Sequence, residues 1–282
     1  NHEGNLSVAK KLIDEAKKCG VDAVKFQTFL PEKFIYKKDK KRIKQIQKFQ
    51  LSYEQFSYLS RYAKKKKLIF ISTPFDIESA NFLNKIQNIF KVSSGDNNFY
   101  PLLSTIAHFN KTIILSTGLM KLSEIKKTVS FINKIWKKIK KNKKKLILLH
   151  CVSSYPVESK DANIKSISYL KDKLKNNIIG YSDHTIGNSA AVGAVYLGAK
   201  VIEKHFTLNN NYSSFRDHKL SLNPKNMKKL VDEIRKAEEL LGEYKKKPNK
   251  TEEKNINSMR RSRSINKNRK KDEKINLQDL IW

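Results

Sequence analysis

Seven short apolar runs recur along the chain, and segments with a helical pattern separate most of them. The runs are continuously apolar rather than alternating, as expected for strands buried on both faces of a parallel sheet. Repeated alternation of strand and helix is typical of an α/β fold with a parallel sheet. The predicted strands are residues 22–29, 68–73, 90–94, 112–117, 146–152, 177–182 and 200–206.

The segment before the first predicted strand indicates a further strand upstream. "NHEG" is typical of a loop, and residues 6–20 form a helical pattern that closes at Gly20. In β/α folds such a loop and helix follow a strand, and one strand added to seven gives the eight of a (β/α)8 TIM barrel. We therefore expect a TIM barrel over 1–244 whose first strand is missing from this chain. A polar linker over 245–264 and the start of a second domain over 265–282 would follow.

Composition limits the class of protein. The chain has 282 residues and is 39% hydrophobic, which is enough for one large domain with a core. No apolar run reaches the length of a membrane span, so we expect no membrane segment. Cys19 and Cys151 are far apart in the sequence and predict neither a disulfide framework nor a zinc cluster. A reducing cytoplasm is the expected location.

The net charge of +32 raises the question of nucleic-acid binding, because a basic face attracts phosphate. The lysines, however, are scattered over almost every helix-like segment, and no aromatic side chains alternate with them to stack on bases. The densest run, 134–145, fits the solvated end of an amphipathic helix. The charge therefore favours lysine-rich exposed faces over a nucleic-acid site, and it would steer anionic substrates toward the protein.

The predicted strands all end in side chains that can bind an anion or a metal. In a barrel these ends converge on one pocket. Lysines are costly to bury without an anion, and hydroxyls and lysines around one point form a cradle for phosphate or carboxylate. The residues at the strand ends are Lys25, Gln27, Thr28, Ser72, Thr73, Lys91, Ser93, Ser94, Ser116, Thr117, His150, Ser153, Tyr155, Ser182, Asp183, His184 and His205.

Two histidines follow neighbouring predicted strands and allow two interpretations. His184 and His205 could share a divalent metal, or each could be a core histidine that hydrogen-bonds backbone carbonyls. His150 also ends a strand and is more typical of a core residue. Glu3 in the first loop and Asp217 in "SSFRDHKLSL" have no distinctive pattern by themselves.

Several motifs in order along the chain resemble the sialic acid synthase family, the phosphoenolpyruvate-condensing enzymes that make nine-carbon 2-keto sugar acids. The resemblance runs from Asn1 to about Gly242 and continues weakly into the tail. It implies a TIM barrel followed by an antifreeze-like (SAF) domain, here truncated after its start in "KDEKINLQDLIW", and a domain-swapped homodimer. The motifs are "NHEG", "AVKFQTF", "FISTPFD", "KVSSGDNNFYPLL", "ILSTG", "LLHCVSSYP", "GYSDHT" and "EKHFT".

The resemblance also implies a role for each matched residue. His184 and His205 would bind a divalent metal, with Mn²⁺ expected first and Mg²⁺ or Co²⁺ as alternatives. Glu3, Lys25 and Lys91 would be catalytic. The N-acylated hexosamine would contact Gln27, Tyr155 and Asp217. Phosphoenolpyruvate would contact Lys25, Thr73, Lys91, Ser94, Ser116, Ser153, Tyr155 and Ser182.

The implied reaction joins phosphoenolpyruvate to the open-chain aldehyde of an N-acylated hexosamine, with C–O cleavage and phosphate release. Ser153 stands where the family often has asparagine, Asp96 where glutamate is usual, and "FRDH" places Arg216 where the family commonly has "GPDH". These departures indicate a variant hexosamine pocket. The open choices are N-acetylmannosamine and the diacetamido sugars that lead to legionaminic or pseudaminic acid.

Two other functions remain as alternatives. A phosphoenolpyruvate aldolase acting on a phosphorylated aldose would need a second phosphate clamp, for which Arg216 is the one candidate. A basic barrel that binds nucleic acid or a surface without catalysis would show salt-sensitive affinity and no dependence on manganese. The polar residues at all seven strand ends argue against the second alternative.

Overall fold

The computed structural model describes residues 1–139 and 145–282, apart from the side chain of residue 216. The chain divides into two compact units, Asn1–Leu241 and Gly242–Trp282. Part of the lysine-rich run over 134–145 and the side chain of Arg216, the candidate phosphate clamp, therefore lie outside the described residues.

The first unit contains a seven-stranded parallel sheet whose strands follow one another in chain order. Neighbouring strands pair in register, as in Ala23↔Ile69 and Tyr181↔Ile202. The structure confirms the seven predicted strands and their parallel arrangement. They are β1 (Ala23–Thr28), β2 (Ile69–Pro74), β3 (Ile89–Val92), β4 (Thr112–Ser116), β5 (Leu146–Cys151), β6 (Ile178–Asp183) and β7 (Ile202–Lys204).

The sheet curls like part of a barrel. Ile71, Ile114, Ile147 and Leu149, which come from three strands, pack together as one apolar cluster on the inner face. Among the described residues, β1 pairs only with β2 and β7 only with β6, so both are edge strands.

Helices cover the outer face of the sheet. Outward residues such as Phe90 and Leu148 join Leu103 and Ile132 of the helical layer in the largest apolar cluster. None of the helices that the structure describes is both long and apolar enough to cross a membrane. The helices are α1 (Leu6–Lys18), α2 (Pro31–Phe34), α3 (Lys40–Gln47), α4 (Tyr53–Lys65), α5 (Ile77–Leu83), α6 (Tyr100–His108), α7 (Leu122–Lys138), α8 (Lys165–Lys173), α9 (Ser189–Tyr196), α10 (Arg216–Leu220) and α11 (Pro224–Leu241).

Local sequence explains where these helices begin and end. Ser52 and Gln55 form a reciprocal capping box at the start of α4, which satisfies two backbone N–H groups. The Asn5 side chain accepts from the N–H of Val8 and caps α1. Gly20, with φ of +81°, follows the end of α1, as the sequence predicts.

The second unit is small. Two short helices, α12 (Lys250–Glu253) and α13 (Ile256–Met259), precede an antiparallel pair of strands, β8 (Ser264–Ile265) and β9 (Leu280–Ile281). Arg269 forms ion pairs with Glu273 and with the buried Asp279 inside this unit. Residues 245–264, the predicted linker, include both short helices.

Candidate active site

The inner face of the sheet changes from apolar to polar along the strands. Successive side chains of a strand point to opposite faces, so the inward positions are alternate residues. The inward cluster near the amino ends is apolar, and the next inward positions of the same strands are Thr73, Ser116 and Cys151. A cavity of about 1120 Å³ runs along the inner face between the edge strands β1 and β7. Its lining includes the apolar cluster and, toward the carboxyl ends, Lys25, Gln27, Lys91, Glu203 and His205.

A carboxylate lies between the two lysines of this cavity. Glu203 Oε2 is 3.4 Å from Lys25 Nζ, and Glu203 Oε1 is 3.6 Å from Lys91 Nζ. Ser182 Oγ donates to Glu203 at 2.8 Å, and Lys91 Nζ donates to Ser116 Oγ at 2.8 Å. Two cations facing one anion leave the cluster with a net positive charge, which suits an anionic ligand.

Burial and charge act in opposite directions on these groups. Burial lowers the pKa of Lys91, because the ammonium loses its hydration. Burial alone would raise the pKa of Glu203, but Lys25 and Lys91 outweigh it and hold this pKa well below its usual range. Glu203 is therefore an anion that partly neutralises the lysines.

Hydroxyl groups surround the lysines. A methyl group built onto Gly118 would lie 2.6 Å from the hydroxyls of both Ser94 and Ser153, so the two hydroxyls converge over this glycine. The hydroxyls of Thr73 and Ser153 are buried and make no hydrogen bond to any described residue. The Ser94 hydroxyl contacts the Cys151 thiol. Buried donors without partners are rare, and here they are available to a ligand.

The structure brings the two predicted histidines together. The ring centroids of His184 and His205 are 5.4 Å apart, and the Tyr155 ring lies 4.2 Å from the first and 6.1 Å from the second. His184 Nδ1 is 2.8 Å from the carbonyl oxygen of Val152, so it carries the proton and leaves Nε2 available.

Burial lowers the pKa of both imidazoles, that of His205 to about 3. Neutral imidazoles are good ligands for divalent transition metals. Among residues 1–139 and 145–282, no group of three or more His, Cys, Asp or Glu side chains could hold a metal ion. His184 and His205 are the residues at this edge of the sheet that could hold a divalent metal.

Glu3 lies in the first loop with its carboxylate held from two sides. Its Oε1 accepts hydrogen bonds from the Ser213 hydroxyl and, at 3.0 Å, from His218 Nε2. Burial would raise the pKa of Glu3, but these two hydrogen bonds lower it. The loop needs glycine at position 4, because φ there is +74° and a Cβ would lie 2.1 Å from the Lys48 carbonyl oxygen.

Two of the three predicted sugar residues, Gln27 and Asp217, line the cavity. Gln27 is exposed at the carboxyl end of β1 and shares the cavity lining with Glu3 and Asp217. Asp217 Oδ2 is 4.0 Å from His205 Nδ1. Tyr155, the third predicted sugar contact, packs against the two histidines. All predicted site residues therefore lie around the carboxyl ends of the strands.

Some polar strand-end residues do not face the cavity, which corrects the expectation that all of them converge. His150 Nε2 is 3.0 Å from the Ala162 carbonyl oxygen and its ring stacks on Tyr181, so it is a core histidine. Thr28 and Ser72 hydrogen-bond each other at 2.7 Å. The reason is the strand alternation, because every second residue points toward the helices.

Sequence reasoning missed three residues of the site. Glu203 precedes His205 by two positions, so the alternation of β7 places both on the inner face and could have revealed it. Ser213 and His218 lie in and after an irregular loop. No periodic pattern connects them with Glu3, which is more than 200 positions away.

The fold and the site together describe an α/β barrel-like protein with a cavity that contains two lysines and with two histidines at the carboxyl edge of its sheet. The NeuB family model matches residues 12–246, and the chain belongs to the NeuB family. This confirms the resemblance to the sialic acid synthases and identifies the chain as a carbon–carbon bond-forming enzyme.

Individual relatives support the assignment to this family. The chain is 42% identical to N,N'-diacetyllegionaminic acid synthase of Campylobacter jejuni, over 97% of this chain and 84% of the relative. It is 38% identical to pseudaminic acid synthase of the same species, over 87% of this chain and 73% of the relative. The crystal structure of N-acetylneuraminic acid (sialic acid) synthetase from Leptospira borgpetersenii in complex with citrate is similar, with a TM-score of 0.84 and 35% identity. That match covers 93% of this chain and 90% of the other.

Proposed function

We propose that this protein condenses phosphoenolpyruvate with the open-chain aldehyde of an N-acylated hexosamine to give a nine-carbon 2-keto sugar acid and phosphate. The observation that carries this proposal is the placement of two lysines, a set of buried hydroxyls and two neutral histidines at the carboxyl ends of the strands of one sheet. An anionic substrate and a polarised aldehyde need these groups side by side.

Phosphoenolpyruvate is the anionic substrate in this proposal. Lys25 and Lys91 match its two anionic ends, and each charge-assisted hydrogen bond to them is stronger than a neutral one. The unpartnered hydroxyls of Thr73 and Ser153 support a ligand with several acceptor oxygens. The full binding set is Lys25, Thr73, Lys91, Ser94, Ser116, Ser153, Tyr155 and Ser182.

The sugar would lie at the mouth of the cavity, in contact with Gln27, Tyr155 and Asp217. The relative with 42% identity is named for N,N'-diacetyllegionaminic acid. We therefore propose a diacetamido hexose as the preferred substrate, with N-acetylmannosamine as the competing choice.

His184 and His205 would hold the divalent metal, with Mn²⁺ proposed first and Mg²⁺ or Co²⁺ as alternatives. When bound, the metal supplies Lewis acidity to the aldehyde oxygen of the sugar. Lowered pKa values keep both imidazoles neutral and able to bind it near neutral pH.

The bond changes balance as follows. The methylene carbon of phosphoenolpyruvate attacks the aldehyde carbon, and the aldehyde oxygen takes up a proton from solvent water to become a hydroxyl. Water adds to the cationic C2, and Glu3, as a carboxylate, accepts its proton. The tetrahedral intermediate then expels phosphate by C–O cleavage, its C2 hydroxyl passes its proton to the departing phosphate, and the 2-keto group remains. Lys25 and Lys91 stabilise the departing phosphate.

The fold proposed for this activity is a complete TIM barrel. β1 and β7 are the two edges of the sheet, and the cavity lining includes residues of both, among them Ala23 and Ile202. We propose that an eighth strand, first in chain order, pairs with both edges and closes the barrel. Residues 265–282 would begin an antifreeze-like domain that is swapped in a cytoplasmic homodimer.

The test is release of phosphate from phosphoenolpyruvate with Mn²⁺, on a chain that carries the eighth strand and the whole second domain. N-acetylmannosamine, two diacetamido hexoses and two phosphorylated aldoses are offered in parallel. We expect release with a diacetamido hexose and its loss in His184→Ala, while His150→Ala, which alters a buried histidine outside the cavity, stays active. Release only with a phosphorylated aldose, or equal activity of both variants, would contradict the proposal.

A further inference from the structure

Asn97 connects two neighbouring loops at the carboxyl edge of the sheet. It lies in the loop between β3 and α6, three residues after Ser94, and it is 4% exposed. Its side chain reaches across to the end of β4, where Nδ2 donates to the carbonyl oxygen of Gly118 at 2.8 Å and to that of Ser116 at 3.3 Å. One buried amide therefore joins the loop after β3 to the loop after β4.

The chemistry of the partners fixes the direction of both hydrogen bonds. A carbonyl oxygen accepts a hydrogen bond and has no proton to donate, so the NH₂ group of Asn97 must face both oxygens. Its two protons suffice for the two bonds. The main chain of Asn97 is held as well, because the Thr128 hydroxyl of α7 donates to its carbonyl oxygen at 3.4 Å.

The segment that Asn97 holds is a tight turn over 117–120. The N–H of Met120 donates to the Thr117 carbonyl oxygen at 3.3 Å and closes the turn. Leu119 has φ of +68°, a conformation that is unfavourable for a residue other than glycine and persists only when neighbours hold it. The Leu119 side chain is 81% exposed, so its packing does not supply that support.

Hydrogen bonds hold the turn from two sides. On one side the N–H and the hydroxyl of Thr117 donate to the Leu149 carbonyl oxygen of β5, at 2.9 Å and 3.0 Å. On the other side the Asn97 amide donates to the Gly118 carbonyl oxygen. The Asn97 amide is therefore the link between the turn and the loop after β3.

The position of this turn determines the spacing of several polar groups of the site. Gly118 leaves a gap between the hydroxyls of Ser94 and Ser153, because a Cβ there would lie 2.6 Å from both. Ser116, directly before the turn, accepts from Lys91 Nζ at 2.8 Å. A shift of the turn would therefore change the gap between the hydroxyls and the contact of the lysine together.

We propose that Asn97 is a positioning residue, whose side-chain amide holds the turn over 117–120 and thereby keeps the Ser94 and Ser153 hydroxyls at the spacing that an anion requires. The inference rests on the proposed function in one respect, namely that these hydroxyls bind the anionic substrate. Carbonyl oxygens use both protons of the amide, so Asn97 acts through the turn and not by contact with the ligand. Donors that are already in place bind charge without a cost of reorganisation.

The first test measures binding of inorganic phosphate by calorimetry and needs no turnover. Asn97→Leu keeps nearly the same size and adds no charge, but it removes both hydrogen bonds. We expect the phosphate affinity to fall about tenfold, as for the loss of one hydrogen bond to an anion. The matched control is Asn177→Leu, because Asn177 Nδ2 donates to the Leu146 carbonyl oxygen at 3.1 Å, at the amino end of β5. Its phosphate affinity should change less than about twofold.

The second test is a double-mutant cycle that shows whether Asn97 acts through the turn. Gly118→Ala disturbs the same gap between the hydroxyls. The losses should therefore not multiply, and the double variant should bind phosphate about tenfold more weakly than the wild type. An independent effect of Asn97 would give a loss of about 100-fold in the double variant and overturn the proposal.

The controls keep a folding defect separate from positioning. Urea denaturation shows whether each variant is folded. If Asn97→Leu is not, Asn97→Ser takes its place, because its hydroxyl ends one bond nearer the backbone than the amide nitrogen and loses the 2.8 Å contact with Gly118. Wild-type affinity in a folded Asn97 variant, or an equal loss in Asn177→Leu, would overturn the proposal.

Steady-state kinetics give a readout that a purely structural role would not produce. We expect the KM for phosphoenolpyruvate to rise about tenfold in the Asn97 variant, and the KM for the sugar to change less than about threefold. Equal increases in both would contradict the proposal. If the wild type binds phosphate but turns over no sugar, the proposed function fails, while the binding data still decide the role of Asn97. A wild type that binds no phosphate would overturn both.

Discussion

The Asp183 carboxylate and the Lys204 ammonium form a 2.7 Å ion pair across the paired strands β6 and β7, and each directly precedes one of the cavity histidines. Lys204 also donates to the Thr185 carbonyl oxygen at 2.5 Å. Because side chains alternate along a strand, this pair faces the helices while His184 and His205 face the cavity. The ion pair therefore links the two strands in the register that brings the two imidazoles together.

Removal of the Lys204 charge should strongly destabilise the protein. The two side chains are 2% and 0% exposed, so Lys204→Met leaves an uncompensated buried carboxylate and should lower the free energy of unfolding by about 3–5 kcal/mol. The matched control is Lys236→Met, which breaks an exposed 3.0 Å pair with Glu239 and should cost no more than about 1 kcal/mol. Urea denaturation measures the free energy of unfolding of both variants. Equal losses of this free energy would contradict the role of burial.

Lys91 should dominate the affinity of the cavity for phosphate. We expect Lys91→Met to weaken binding of inorganic phosphate at least about tenfold, because a charge-assisted hydrogen bond contributes about 1.5–3 kcal/mol. Lys111→Met is the control, since burial lowers the pKa of this lysine too. Lys111 donates instead to the carbonyl oxygens of Asn84 and Gln87. Calorimetry at constant ionic strength measures the phosphate affinity of both variants. Similar affinities for Lys91→Met and Lys111→Met would rule out a phosphate contact by Lys91.

Gly118 should be required for ligand binding rather than for folding. A Cβ in Gly118→Ala would lie 2.6 Å from the Ser94 and Ser153 hydroxyls and would fill the space between them. We expect phosphate binding to weaken about tenfold. Gly95→Ala in the neighbouring loop is the control, because its Cβ would meet only Ser93 Oγ at the ordinary distance of 3.8 Å. Unchanged binding in Gly118→Ala would show that the phosphate lies elsewhere.

His150 should contribute to acid sensitivity. Burial lowers its pKa in the folded state, so below about pH 6.5 the unfolded chain takes up a proton that the folded chain does not. The free energy of unfolding should therefore fall as the pH drops below about 6.5, by at most about 1.4 kcal/mol per pH unit from this residue. His150→Gln removes the titration, and its amide can still donate to the Ala162 carbonyl oxygen, which His150 Nε2 contacts at 3.0 Å. Urea denaturation at pH 7, 6 and 5 should give a flatter pH dependence for this variant, and parallel curves would contradict the prediction.

Much of the site could be predicted because parallel strands end at one edge of their sheet. Lys25, Lys91, His184 and His205 all follow from reading polar residues after apolar runs. The same reasoning could have identified Glu203, because it lies two residues before His205 and therefore on the same face of β7. The hydrogen bonds of Glu3 to Ser213 and His218 could not be predicted in this way, because the folding of the first unit as a whole joins loops that are more than 200 positions apart.

The sequence by itself determined the strands, their parallel order and the polar residues at their ends, because apolar runs and local helix signals are short-range properties. The tertiary structure alone decided which of those residues face the cavity, since the curl of the sheet and the strand alternation turn His150 outward and Lys91 inward. It also decided the charge balance of the site, in which Glu203 lies between Lys25 and Lys91. Such a balance depends on distances of a few ångströms between strands that are far apart in the chain, and no local pattern encodes those distances.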